Sequence, residues 1–139
     1  METIYFKKGA FILKKRVFNK GWVYHDTVTS SMAAGFGGGG DHAAEIELPH
    51  DAMIHTRRSP NAAGGAAEGY FESTDCEYTK QFRLEEKDQV CYLEFDGVYR
   101  NASVLVNGEY VGRHCYGYGN FLLRIDGYLN VEQENSIKV

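Results

Sequence analysis

Residues 90–139 read VCYLEFDGVYRNASVLVNGEYVGRHCYGYGNFLLRIDGYLNVEQENSIKV. In this stretch two runs of apolar residues, Ala102-Val104-Val106 and Tyr110-Val111, meet at Asn107-Gly108. Asn and Gly take φ > 0 most readily, and a two-residue type I′ turn needs that conformation at both central positions. A β-hairpin centred on Asn107-Gly108 is therefore predicted, with Val104 and Val106 directed inward because they alternate with Ser103, Leu105 and Asn107. Before the hairpin lies a strand ending in Phe95-Asp96-Gly97-Val98. After it come an aromatic, glycine-rich loop, His114–Asn120, and a closing strand-like stretch, Glu134–Val139.

Outward from the hairpin, apolar residues recur at period two in 10–18, 45–48, 78–84, 90–95, 102–106 and 121–125, and no window of a dozen residues shows a helical stripe. Several short strands imply a sandwich, so an all-β fold is predicted over a single domain, residues 1–139. Tyr78, Phe82 and Leu84 share one strand face, and Cys91, Leu93 and Phe95 another. A one-residue slip would expose either set, so register should be firm. Asp126–Leu129 has room for one helical turn. Ser30–Asp41, containing Gly35-Phe36-Gly37-Gly38-Gly39-Gly40, and Ser59–Gly69 carry no periodicity and read as long loops, functional or mobile. Poor order is expected in Ser30–Asp41, whose glycines lose much backbone entropy on folding and bury little in return.

The 139 residues suffice for one core, and 43% apolar with 14% aromatic content suits a packed globule. A net charge of −4, from 19 acids against 15 bases, lacks the positive field that nucleic acid requires, so no nucleic-acid partner is expected. The basic residues Lys7, Lys8, Lys14, Lys15 and Arg16 alternate with apolar ones and read as the solvated face of an N-terminal strand pair. No apolar run approaches the ~20 residues that cross a bilayer, and no membrane association is expected. Lysines interrupt the apolar residues after Met1, so no signal-peptide core is present and a cytoplasmic location is expected, or a secreted or periplasmic one if a leader was removed. Cys76, Cys91 and Cys115 cannot all pair and read as free thiols. Asn101-Ala102-Ser103 reads as a chance glycosylation match.

The glycine run satisfies G-x-G-x-x-G, but no clear strand precedes it, no helix follows and no P-loop lysine is present, so a loop is the better reading than phosphate binding. The histidines, His25, His42, His50, His55 and His114, show no i, i+4 pair on a helix, and neither a metal nor a cofactor is expected. Nothing marks a nucleophile elbow. In Leu48-Pro49-His50-Asp51, Pro and Asp break a strand where a polar His-Asp pair can hydrogen-bond across a loop, or where a turn needs one structural hydrogen bond.

The order of these features resembles the N-terminal sugar-binding-like domain of glycoside hydrolase family 2, the β-galactosidase and β-glucuronidase family. Pro49-His50-Asp51 matches the family's Pro-His-Asp-Trp with Ala52 in place of tryptophan. Gly21-Trp22-Val23-Tyr24 is similar to its early Gly-Trp-x-Phe, and Tyr78-x-Lys80-x-Phe82 to its Trp-Tyr-Arg-Lys-x-Phe strand, with Glu77 and Thr79 departing. Phe95-x-Gly97-Val98, Ala102-x-Val104, Val106-Asn107-Gly108 and Val111-Gly112-x-His114 resemble its central signature. Gly117-Tyr118 and Phe121 resemble its Gly-Gly-Tyr-x-x-Phe, with Tyr116 replacing the first glycine.

The resemblance implies a jelly-roll β-sandwich, galactose-binding-domain-like, and a role as the non-catalytic N-terminal piece of a larger glycosidase. Retaining glycosidases need two carboxyl groups about 5 Å apart. The family carries both on a (β/α)₈ barrel, the acid/base following an asparagine, and this chain has no Asn-Glu dipeptide. No catalytic residue is therefore expected here, while the whole enzyme is expected to act on a β-linked glycoside, β-galactosides first. The strand-like end at 135–139, with no linker after it, is expected to mark a piece of a longer chain. Aromatic faces and a few fixed polar groups recognise sugars, so His114, Tyr116, Tyr118 and Asn120, with His50 and Asp51, are the expected carbohydrate-binding or pocket-rim residues. The alternative is an autonomous carbohydrate-binding module. The expected partners are the remaining domains of the same polypeptide. A surface bordered by His50, Tyr70, Tyr116 and Tyr118 would pack on them and, left open, favour homo-oligomers.

Overall fold

The computed structural model describes residues 2–8, 12–26, 43–71, 75–84 and 90–139, and the loop expected over Ser30–Asp41 lies outside them. Ten strands make up the fold among these residues: β1 Glu2–Lys8, β2 Ile12–Val17, β3 Trp22–Asp26, β4 Ala43–Ile46, β5 Cys76–Arg83, β6 Val90–Phe95, β7 Ala102–Val106, β8 Glu109–His114, β9 Phe121–Arg124 and β10 Glu134–Lys138. They form two antiparallel sheets, β2-β1-β6-β9 and β4-β3-β5-β10-β7-β8, so the fold is a jelly-roll β-sandwich. Helical geometry among the described residues is limited to 3-10 turns at Ala52–His55, Gly65–Glu68 and Asp126–Tyr128.

The predicted hairpin is present. Asn107 and Gly108 have φ of 52° and 82°, the two left-handed positions of a type I′ turn, and Val106 pairs with Glu109 across it. A register shift between Val104 and Leu105 leaves Val111 as the extra residue of β8, a bulge that bends the outer strand. Val104 and Val106 are fully buried. Alternation along β6 puts Cys91, Leu93 and Phe95 in the core, facing Trp22, Val104, Val106 and Ile137 of the six-stranded sheet. Tyr78 and Phe82 pack against this core and Leu84 joins it.

Four segments differ from expectation. β2 and β4 begin and end a residue or two away from their windows. β3, paired with β4 on one edge and β5 on the other, was not evident from alternation, because Trp22 is buried and Val23, Tyr24 and His25, which alternate between its two faces, are all half-buried. A strand covered on both faces shows no clean in-out pattern. Ser59–Gly69, expected to be irregular, carries the Gly65–Glu68 turn and is closed by the Arg58–Phe71 bridge.

An asparagine network binds the hairpin to the rest of the sandwich. The Asn107 side chain donates to Tyr128 O (2.7 Å) and Asn135 Oδ1 (2.9 Å) and accepts from Ser136 N (2.8 Å). Fully buried Asn135 also accepts from Asn130 N (2.7 Å) and donates to Asn130 O (2.8 Å) and Gln133 O (3.3 Å). Each polar atom of that buried amide is thereby satisfied.

Candidate functional site: an aromatic corner at one end of the sandwich

Two loops meet beside β7 and β8. One, 96–101, leads from β6 into β7, and the other, 115–120, leads from β8 into β9. Glycines allow their close approach: a Cβ on Gly97 would lie 3.7 Å from Gly117 O, and one on Gly117 only 2.4 Å from Tyr99 Cδ2. The Tyr99 ring therefore lies directly over Gly117. Tyr118 stands between two neighbours, 5.6 Å from Tyr99 at 66° and 5.9 Å from Tyr116 at 64°. Such edge-to-face contacts suit the ring quadrupoles. All three rings remain largely open to water, at 49% for Tyr99, 66% for Tyr116 and 79% for Tyr118.

A charged pair borders these rings. The Arg100 guanidinium lies 5.5 Å from the Tyr99 ring centroid and donates to Glu68 Oε1 at 3.0 Å, with the Glu68 side chain nearly buried. This draws the Gly65–Glu68 turn toward the aromatic loops. Tyr70, at φ 63° and 46% exposed, follows that turn, and Asn120 is exposed at the far end of the second loop.

His114 lies lower. Its ring stacks on Phe121 (4.3 Å, 17°), which stacks on Phe95 (4.7 Å, 16°), so the imidazole extends the core of the sandwich. Its Nε2 is buried with no hydrogen-bond partner among the described residues and sits 3.9 Å from where a Cβ on Gly119 would be.

His50 and Asp51 do not pair with each other. The His50 ring packs on Tyr24 (4.9 Å) and Tyr78 (5.7 Å), and its Nδ1 shares a 2.9 Å hydrogen bond with Tyr78 Oη. Burial, reinforced by Cys76 and Tyr24, pushes the Tyr78 phenol well above its ordinary range. Asp51 instead caps the Ala52–His55 turn, accepting from Met53 N at 2.9 Å. These residues sit over β3 and β5, whereas His114 ends β8, three places along the sheet from β5. The six expected site residues thus separate into a half-buried His50 group and the exposed loop carrying Tyr116, Tyr118 and Asn120, with His114 beneath it. Tyr99, Arg100 and Glu68 were not foreseen. Gly97 and Gly117, small residues where two loops touch, were the signal that could have found them.

Among the described residues no three His, Cys, Asp or Glu side chains are grouped as metal ligands, and no disulfide joins Cys76, Cys91 and Cys115. No helix among them is long and apolar enough to cross a membrane. A shallow cleft lined by Phe18, Glu47 and Lys80 is occupied by its own cation, since Lys80 Nζ lies 4.5 Å from the Phe18 ring centroid and donates to Lys20 O.

No family model matches the chain. It is 30% identical over 125 residues to a β-galactosidase of Bacteroides ovatus, covering 88% of this chain and 14% of that enzyme. A β-glucuronidase of Bacteroides fragilis is 30% identical over 94 residues, covering 68% of this chain and 13% of its own length. The crystal structure of a glycosyl hydrolase family 2 member from Bacteroides cellulosilyticus superposes with a TM-score of 0.73 at 29% identity, over 88% of this chain and 17% of that one. Sequence, fold and hairpin signature agree, and the chain, which spans about a seventh of the relatives it matches, belongs to glycoside hydrolase family 2 as a jelly-roll domain of such an enzyme.

Proposed function

We propose that this domain is the non-catalytic β-sandwich of a family 2 hydrolase acting on β-galactosides, where it packs on the catalytic barrel and brings loop 114–120 to the rim of the sugar pocket. One observation carries the reading: the match takes in 88% of this chain and 14% of a β-galactosidase. The carboxylates support it. Glu68, Glu77, Glu94 and Asp126 pair with Arg100, Lys138, Lys15 and Arg124 rather than with one another. A retaining mechanism needs two carboxyl groups about 5 Å apart, one held protonated as the acid. The Arg124 guanidinium beside Asp126 instead holds that carboxyl below the usual carboxylate range.

The test is an assay of the whole polypeptide that carries this domain on nitrophenyl β-galactoside, β-glucuronide and β-mannoside. The β-galactoside should turn over fastest. A faster β-glucuronide would overturn the specificity, and no turnover of any of the three would overturn the hydrolase reading.

A further inference from the structure

Asparagine is a thermolabile residue, most of all before glycine. The backbone nitrogen of the next residue attacks the side-chain amide carbon, and a Cβ on that next residue hinders the approach. Of the seven asparagines in this chain, Asn107 alone precedes a glycine. Gly108 is exposed, with open space where a Cβ would stand, so solvent base reaches this end of the hairpin.

The fold holds the reacting groups apart. Attack requires Asn107 Cγ to swing onto the Gly108 nitrogen, whereas Nδ2 is held on Tyr128 O (2.7 Å) and Asn135 Oδ1 (2.9 Å), and Oδ1 on Ser136 N (2.8 Å). The turn is also tied to β10, since Asn107 N donates to Ser136 O at 2.9 Å. Ring closure therefore waits for a local opening that lifts the hairpin end off β10.

The same network decides what the reaction leaves behind. Both partners of Nδ2 are acceptors. Asn135 cannot turn its amide over to become a donor, because its Oδ1 accepts from Asn130 N (2.7 Å) and its Nδ2 donates to Asn130 O (2.8 Å) and Gln133 O (3.3 Å). A carboxylate at position 107 would set a charged oxygen against Tyr128 O and the oxygen of fully buried Asn135, where the native side chain has its donor.

We infer that Asn107-Gly108 is a latent modification site, a deamidation switch that the asparagine network holds shut in the folded domain. Once the hairpin opens, the Gly108 nitrogen loses its proton to solvent base and bonds to Asn107 Cγ. The Cγ–Nδ2 bond breaks, and ammonia leaves with a proton taken from solvent, closing a succinimide ring. Water then adds to either ring carbonyl and its C–N bond breaks, giving aspartate or isoaspartate. Neither product carries the Nδ2 donor, so the hairpin does not regain its anchorage. The switch is independent of the hydrolase reading and stands or falls separately.

The test incubates the 139-residue chain in mildly alkaline buffer, folded and in urea, and follows conversion at Asn107 by peptide mass spectrometry. The folded chain should react at least about 100-fold more slowly, because the rate follows the open population. Asn135→Leu, which removes the acceptor inside the core, should speed the folded chain by about tenfold or more. Leu93→Val trims a fully buried side chain of the other sheet and should leave the rate within about twofold, since it does not touch the local opening. Asn107→Asp, which copies one product, should unfold at lower urea than the parent. The parent and Asn107→Asp measurements stand whether or not Asn135→Leu folds. Equal rates in the folded and unfolded chain, a larger acceleration by Leu93→Val than by Asn135→Leu, or an Asn107→Asp chain as stable as the parent would overturn the inference.

Discussion

At Asn107 the backbone and the side chain serve the fold separately. The left-handed backbone makes the turn, and the amide reaches Tyr128, Asn135 and Ser136. Asn135 completes the arrangement from inside the core. Asn135→Leu keeps the volume and strands the Asn130 backbone amide and carbonyl, so a loss of about 2–4 kcal/mol is expected, read as a lower urea midpoint at unchanged slope. The exposed Asn120→Ala should stay within about 0.5 kcal/mol of the parent. At Tyr78 the expected effect is one of pH. Its phenol is raised in the folded state, chiefly by burial. A raised pKa contributes stability that is present below the unfolded value, about 10, and is lost as pH rises through the folded one. Stability of the parent should therefore fall between pH 9 and 11 more steeply than that of Tyr78→Phe. The variant should also lose about 1 kcal/mol at neutral pH with the His50 hydrogen bond. Equal slopes would show that Tyr78 ionises normally.

Among the elements, the β7–β8 hairpin was the most legible from sequence, because Asn-Gly dictates both turn conformations and Val104 and Val106 alternate cleanly. β6 was legible for the same reason. β3 was not, since its residues are covered on both sides. The site was legible only in part. Tyr116 and Tyr118 stand in one loop and could be read together, but Tyr99 reaches them only because 96–101 folds against 115–120. His50 and Asp51 are adjacent in sequence yet are used apart, one in packing and one as a cap. Two glycines test the hairpin by different routes. At Gly108, with φ 82° and open space around it, alanine should cost about 1 kcal/mol through the backbone alone. At Gly112 a Cβ would stand 2.9 Å from Leu123 Cδ2, where β8 meets β9 across the sandwich, so Gly112→Val should cost about 1–3 kcal/mol by overpacking. Thermal unfolding of the two variants would separate these effects.

For the whole molecule, fold and family follow from the sandwich, its hairpin and the relatives it matches, while the assignment of bond cleavage to another domain belongs to the proposed function. Among the described residues, ion pairs hold Glu68, Glu77, Glu94 and Asp126, and the aromatic corner is exposed. The proposed division of labour therefore assigns contact with the sugar to this domain and bond cleavage to the barrel. The most direct measurement is hydrolysis of nitrophenyl β-galactoside by the 139-residue chain alone, assayed beside variants with single carboxylates replaced by amides. No release of nitrophenol above the uncatalysed rate is expected from any of them. Turnover by the parent that disappears in one of those variants would contradict the account.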